Sequence, residues 1–182
     1  KNASVTPQFA DWIASRSLSL PIVRELGWRA WFNSRDQILD TLKSAPRELV
    51  EKAGYLRDGK LWNPLKRLTE DTSDTCCFIP AFHPEHKEPT SFRYRAYSGG
   101  KYKSMNLYGQ MAPPMGLSLP DGGGILEGAS GHQVVLVVEG EPDWASLSHV
   151  FGPQAGVVCL TNVASGWPEA ITSHLSAAKL IV

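Results

Sequence analysis

The spacing of apolar residues changes character three times along this chain. Between residues 8 and 56 they recur every three to four positions. Phe9, Trp12 and Ile13 fit one helical face, and Ile22, Val23 and Leu26 fit another. Pro21 suits a first helical turn, and Gly27 a stop. Gln37–Leu42 reads as a further short helix and Ala45–Gly54 as the next, closed by its glycine. Trp28, Trp31 and Phe32 are expected to pack this helical layer, with base stacking as the alternative use.

From about residue 76 the period shortens to two. Cys76–Phe82 predicts a strand, and the prolines and charges of 83–89 predict a turn. Ser91–Tyr97 predicts a second strand, with Phe92, Tyr94 and Ala96 alternating against Arg93, Arg95 and Tyr97. Ser98-Gly-Gly100 is a turn, and Lys101–Leu107 a candidate third strand. The strands would form an antiparallel hairpin whose polar face carries the arginines. Residues 111–132 are rich in Pro and Gly. They link no strand to a helix in a phosphate-loop spacing, so they read as a connection.

From 133 the apolar residues run together. Val134–Val138 predicts a strand buried on both faces, as in parallel sheets. Pro142–Phe151 predicts a helix with Trp144, Leu147, Val150 and Phe151 on one side. Gly156–Leu160 predicts a second strand, Pro168–Ala177 a second helix, and Leu180–Val182 a third strand. The expected fold class is α/β: an α+β N-terminal part, then a βαβαβ parallel unit. The expected organisation is a helical part over 1–75, a basic antiparallel part over 76–110, a linker over 111–132 and the parallel unit over 133–182.

Charge sharpens this division. Residues 1–130 hold 17 Lys/Arg against 14 Asp/Glu, and residues 131–182 hold 1 against 4. A basic front and acidic back suit a protein that holds a polyanion and a cation at separate places. A chance fluctuation of three charges is the alternative. No run of 18 apolar residues exists, so no membrane-spanning helix is expected. The three cysteines include an adjacent pair, which argues against a disulfide framework and fits a reducing cytoplasm. The chain begins with Lys rather than Met and carries no signal peptide, so it reads as an excised fragment.

The chemistry concentrates in Glu139-Gly-Glu-Pro-Asp143. Glu139 follows directly on the predicted strand, at the carboxyl end where open α/β sheets bind ligands. Gly140 permits a tight turn and close ligand approach. Asp143 falls in the first helical turn, where the helix dipole favours an acid. Glu139 and Asp143 are therefore candidate ligands of a divalent cation holding phosphates. Glu141 and Asp143 have the alternative role of helix caps. Arg93, Arg95, Lys101 and Lys103 give four positive charges between residues 91 and 110 with no acid. They are candidates for nucleic-acid or nucleotide phosphates, or for a solvated hairpin face. Four phosphate contacts would give a log–log salt slope of about −3 on single strands. Tyr94, Tyr97 and Tyr102 have hairpin packing or base stacking open to them.

The acidic turn resembles the first signature of the Toprim domain, an apolar strand followed by Glu-Gly-x-x-Asp and a helix. Upstream, Ser15–Gly27, Ala53–Leu56 and Phe78–Phe82 are similar to stretches of the DnaG-type primase catalytic core. So are Arg93-Tyr-Arg95, Lys101-Tyr-Lys103 and Leu107-Tyr-Gly109, in that order. The resemblance covers roughly residues 10–182. It implies a primase core that makes short RNA primers on single-stranded DNA by metal-dependent nucleotidyl transfer. Glu139 and Asp143 would be its catalytic and metal-binding residues, with Mg²⁺ or Mn²⁺ as cofactor. The implied partners are a single-stranded DNA template, ribonucleoside triphosphates and a replicative helicase, fused or separate, with no membrane.

The family's second signature, Asp-x-Asp, follows the third strand, beyond Val182. A fragment with half of the acidic site is expected to be weakly active or inactive alone. The family's upstream zinc domain is not part of the sequence. Cys76, Cys77, His83 and His86 lack the usual Cys-x₂₋₄-Cys clamp, so no zinc is expected. Two other readings remain: a Toprim nuclease or topoisomerase piece, and a non-catalytic primase-like module that only binds nucleic acid or a helicase.

Overall fold

The structure, a computed structural model, describes residues 5–30, 35–62, 76–82, 89–97, 104–116, 133–151, 154–161, Thr172, Leu175 and 178–182. Side chains are described from Asp40 in the second stretch and from Cys77 in the third.

Helix α1 covers Pro7–Ser15; Thr6 caps it by accepting the Phe9 N–H at 3.2 Å, and Pro7 occupies the first turn. Helix α2 covers Leu20–Glu25, α3 Arg35–Ser44 and α4 Arg47–Lys52. The first two overlap the apolar 3.6-residue repeats at Phe9–Ile13 and Ile22–Leu26. Gly54, at φ +82°, ends the turn after α4, and Tyr108 donates its backbone N–H to the Gly54 carbonyl at 3.1 Å. A Cβ at position 54 would stand 2.5 Å from the Tyr108 carbonyl oxygen, so only glycine fits both the angle and the space.

The front part is not purely helical. Strand β1, Arg29–Ala30, adds to the antiparallel sheet, and Leu56–Arg57 (β2) pairs with Lys60–Leu61 (β3) in a small hairpin. Two-residue strands show no period. What places β1 is its partner: Arg29 lies opposite Phe78, and Ala30 opposite Cys77.

The main antiparallel sheet has the order β1-β4-β5-β6, with β4 at Cys76–Ala81, β5 at Ser91–Ala96 and β6 at Ser104–Asn106. Cys77, Ile79 and Ala81 lie opposite Arg95, Arg93 and Ser91, so these six side chains share one face. That face is the interior one, with Cys77, Ile79, Ala81, Ser91 and Arg93 all buried. The other face carries Phe78, Phe92 and Tyr94 against Leu107, Tyr55 and Trp62. The alternation in the sequence is therefore real, but its arginine side turns inward.

The second sheet is parallel, in the order β8-β7-β9: Val134–Val138 (β7), Gly156–Cys159 (β8) and Leu180–Ile181 (β9). Its first strand is central. One face, through Leu136 and Val138, packs on the main core, and the other, through Val135 and Val137, packs with Val158, Leu160, Leu175 and Ala178. Helix α5, Glu141–Phe151, follows β7 and buries Trp144 and Ala145; Val150 and Phe151, expected on the same inner side, are exposed. Of the expected second helix only Thr172 and Leu175 are described, and both are helical.

One core joins these parts. Phe9, Trp12, Ile13, Val23 and Trp28 share a cluster with Cys77, Ile79, Trp144, Val157 and Cys159. Full burial of side chains such as Ile13 and Val23 contributes about 1.5–3 kcal/mol each. The Tyr97 ring stacks 5.4 Å from Trp12 and lies 5.8 Å from Phe9, so this tyrosine packs helix to hairpin. Met115, within the stretch expected to be a plain connection, pairs with Cys159 in an antiparallel bridge at the outer edge of β8. Among the described residues no helix is long and apolar enough to cross a membrane.

Candidate functional site

The acidic turn leaves the carboxyl end of β7, the central strand of the parallel sheet, and runs straight into α5. The first helical hydrogen bond runs from Trp144 N–H to the Gly140 carbonyl at 3.0 Å. A Cβ at position 140 would stand 2.8 Å from Asp143 Oδ2, so the Asp143 carboxylate folds back over the bare Gly140 backbone. Glu139 and Asp143 are both exposed. Among the described residues neither side chain makes a hydrogen bond or ion pair. Two unengaged hard oxygen donors at a strand end fit Mg²⁺, which takes one or two carboxylates and fills its remaining positions with water and phosphate.

Glu141, between them, is placed quite differently. Its side chain is 2% exposed and points inward to the arginine face of β5. Oε1 accepts Arg93 Nε–H at 2.7 Å and the Ser104 hydroxyl at 2.7 Å, while Oε2 accepts from Arg95 Nη1 at 3.0 Å. Arg93 spends its other two nitrogens on Asn106 Oδ1 and Ser104 Oγ, each at 2.7 Å. The register explains the convergence: Asn106 lies opposite Arg93, and Ser104 opposite Arg95.

Burial alone would raise the Glu141 pKa. The Arg93 charge, the Ser104 hydroxyl, its own backbone N–H and the Arg93 hydrogen bond outweigh burial and hold it below the usual value. The carboxylate is therefore ionised. Among the described residues, two guanidiniums against one carboxylate leave one positive charge uncompensated. Arg95 Nε is buried with no hydrogen-bond partner among the described residues. Charges this deep persist only when paired and hydrogen-bonded, so the spare charge and the unpaired N–H make this a place where an anion would be favoured.

The structure thus brings Arg93 and Arg95 to the acidic turn through Glu141, a residue that sequence reasoning left as a helix cap. Among the described residues Arg93 is engaged through all three nitrogens, and Arg95 through Nη1. Lys101, Lys103, Tyr102, His83, His86, Trp31 and Phe32 lie outside the described residues. Tyr94 packs edge-on against Phe78, with ring centroids 6.5 Å apart. Cys77 and Cys159 are free and buried. Burial, then the Glu141 charge, pushes the Cys159 thiol up to about 12.

No family model matches the sequence, and no curated protein sequence matches it. Solved structures do. The catalytic domain of a DnaG primase bound to single-stranded DNA superposes with a TM-score of 0.68 at 16% identity, covering 97% of this chain and 54% of that one. The E. coli primase catalytic core gives 0.68 at 17% identity, with 97% and 54% covered. A DNA primase domain from Pseudomonas aeruginosa gives 0.64 at 19%, with 94% and 52% covered. This chain spans about half the length of the solved primases it matches. It carries the fold of DnaG primase catalytic cores over that half.

Proposed function

We propose that the chain is part of the catalytic core of a DNA primase, which joins ribonucleotides on a single-stranded DNA template by metal-dependent nucleotidyl transfer. The observation that carries the reading is the fold likeness over 97% of the chain, which takes in the basic antiparallel sheet and the acidic parallel unit together. A Toprim nuclease or topoisomerase piece would account only for the parallel unit.

Phosphoryl transfer depends mainly on positioning and charge neutralisation. In this reading the parallel unit is a Toprim domain, and Glu139 and Asp143 hold Mg²⁺ or Mn²⁺. The ion, when bound, supplies neutralisation of the triphosphate and a more acidic attacking 3′ hydroxyl. Glu139 serves as ligand or as the base that accepts the hydroxyl proton. The spare charge around Arg95, with Lys101 and Lys103, attracts nucleotide or template phosphates. A replicative helicase, fused or separate, is the proposed partner.

The test is primer synthesis from labelled ribonucleotides by the full-length protein, with and without Mg²⁺. Primers should form only with the metal, and Glu139→Gln should abolish them while leaving fold and DNA binding nearly intact. Wild-type primer yield from Glu139→Gln would sink the assignment of that residue. Failure of the wild-type protein to make primers would sink the reading.

A further inference from the structure

We infer that Glu141 is a positioning residue: it clamps Arg93 and Arg95 in one orientation beside the acidic turn and is not a metal ligand. The inference rests on the primase reading above and deepens it.

The geometry separates Glu141 from its two acidic neighbours. Both of its oxygens are committed to charge-assisted bonds, at 2.7 Å to Arg93, 2.7 Å to Ser104 and 3.0 Å to Arg95. Its side chain is 2% exposed, whereas Glu139 and Asp143 are exposed. A carboxylate enclosed in this way is shut off from the solvent side, where a hydrated cation and a triphosphate would sit. What it does have is reach across the fold. Its partners stand 48 and 46 residues earlier in the chain, so these bonds tie β5 to the first turn of α5.

Glu141 aligns both guanidiniums and neutralises only one of the two charges. Arg93 is held through all three nitrogens, by Glu141, Asn106 and Ser104. Among the described residues Arg95 is held through Nη1 and keeps a buried Nε–H without a hydrogen-bond partner. The side chain that Glu141 pins at one nitrogen is thus the one left with capacity for an anion. A planar guanidinium pinned this way presents its remaining N–H groups in a fixed direction, which a lysine ammonium does not. Glu141 would therefore set the direction in which Arg95 meets a nucleotide phosphate, while Glu139 and Asp143 meet the cation.

The experiment compares nucleotide and Mg²⁺ saturation of primer synthesis in the full-length protein for wild type, Glu141→Gln and Arg93→Gln/Glu141→Gln. The double variant keeps one net positive charge in the cluster, so it removes the clamp without adding buried charge. It also guards against a single variant that does not fold. Loss of an orienting partner should raise KM for the ribonucleotide about 10-fold or more in either folded variant. The Mg²⁺ concentration for half-maximal rate should stay at the wild-type value. A purely structural role would lower the amount of folded protein without moving KM. A shift in Mg²⁺ dependence like that of a Glu139 or Asp143 variant overturns the inference, and so does a wild-type KM in the double variant. A wild-type protein that makes no primers overturns the primase reading, and this inference with it.

Discussion

Glu139 and Glu141 stand two residues apart on one turn and occupy opposite environments: Glu139 is exposed, while Glu141 accepts hydrogen bonds from Arg93 and Arg95 in the interior. The chain reverses its side-chain direction there because β7 ends and α5 begins.

The two glutamates should therefore differ sharply in their effect on stability. Glu141→Ala leaves two buried guanidiniums without a counter-charge and should cost about 3–5 kcal/mol. Glu139→Ala removes an exposed side chain with no described partner and should stay within about 0.5 kcal/mol of wild type. Urea denaturation of both variants measures this, and equal losses would contradict the placement.

Salt dependence of single-strand binding should be shallower than the four basic residues suggest. Glu141 cancels one of the two arginine charges, leaving about three effective charges with Lys101 and Lys103. The log–log slope should then be about −2, at roughly 0.7 per phosphate. Binding measured by fluorescence anisotropy across a salt series gives the slope. A value of −3 or steeper would mean that the arginines leave Glu141 on binding DNA.

Gly54 is a local test of the fold. Its φ of +82° and the 2.5 Å approach to the Tyr108 carbonyl leave no room for a methyl group. Gly54→Ala should destabilise by about 1–3 kcal/mol. A thermal melt would show it, and an unchanged midpoint would contradict the close approach of Gly54 to Tyr108.

Cys159 predicts an alkaline limit. Its pKa is raised from 9.0 to about 12, so the folded state binds the proton more tightly than the unfolded one. The resulting stability is complete below pH 9.0 and is lost as pH rises towards about 12. Denaturation midpoints should fall over this window in wild type and fall less in Cys159→Ala. In the folded protein the thiol should resist alkylation at pH 8, read by mass spectrometry. Rapid modification there would contradict its burial.

Much of this architecture was written in the local pattern. The repeats at Phe9–Ile13 and Ile22–Leu26 became α1 and α2, and the run Val134–Val138 became the central parallel strand. Elements set by distant partners left little trace. Strand β1 is too short to show a period and exists because β4 lies beside it. The Met115–Cys159 bridge lies within a Pro/Gly-rich stretch and depends on an open edge of β8. Glu141 was missed because it lies 46 and 48 residues from its partners, yet one signal was present. Arg93 and Arg95 alternate in register with the apolar Cys77 and Ile79, and a face shared with those residues has to be buried. Buried arginines require an acid, and none lies between residues 91 and 110. Acids nearer in sequence stand at Glu70, Asp71, Asp74, Glu85 and Glu88, so the sequence left the choice between them and the acidic turn open.

The core that joins Phe9 and Trp12 to Val157 and Cys159 also has a temporal consequence. These positions are about 150 residues apart, so at about 5–20 residues per second α1 leaves the ribosome roughly 8–30 s before its partners in β8. Until then the aromatic faces of Phe9, Trp12 and Trp28 have only part of their cover. Nascent chains released before residue 159 should be the species that chaperones hold and proteases cut.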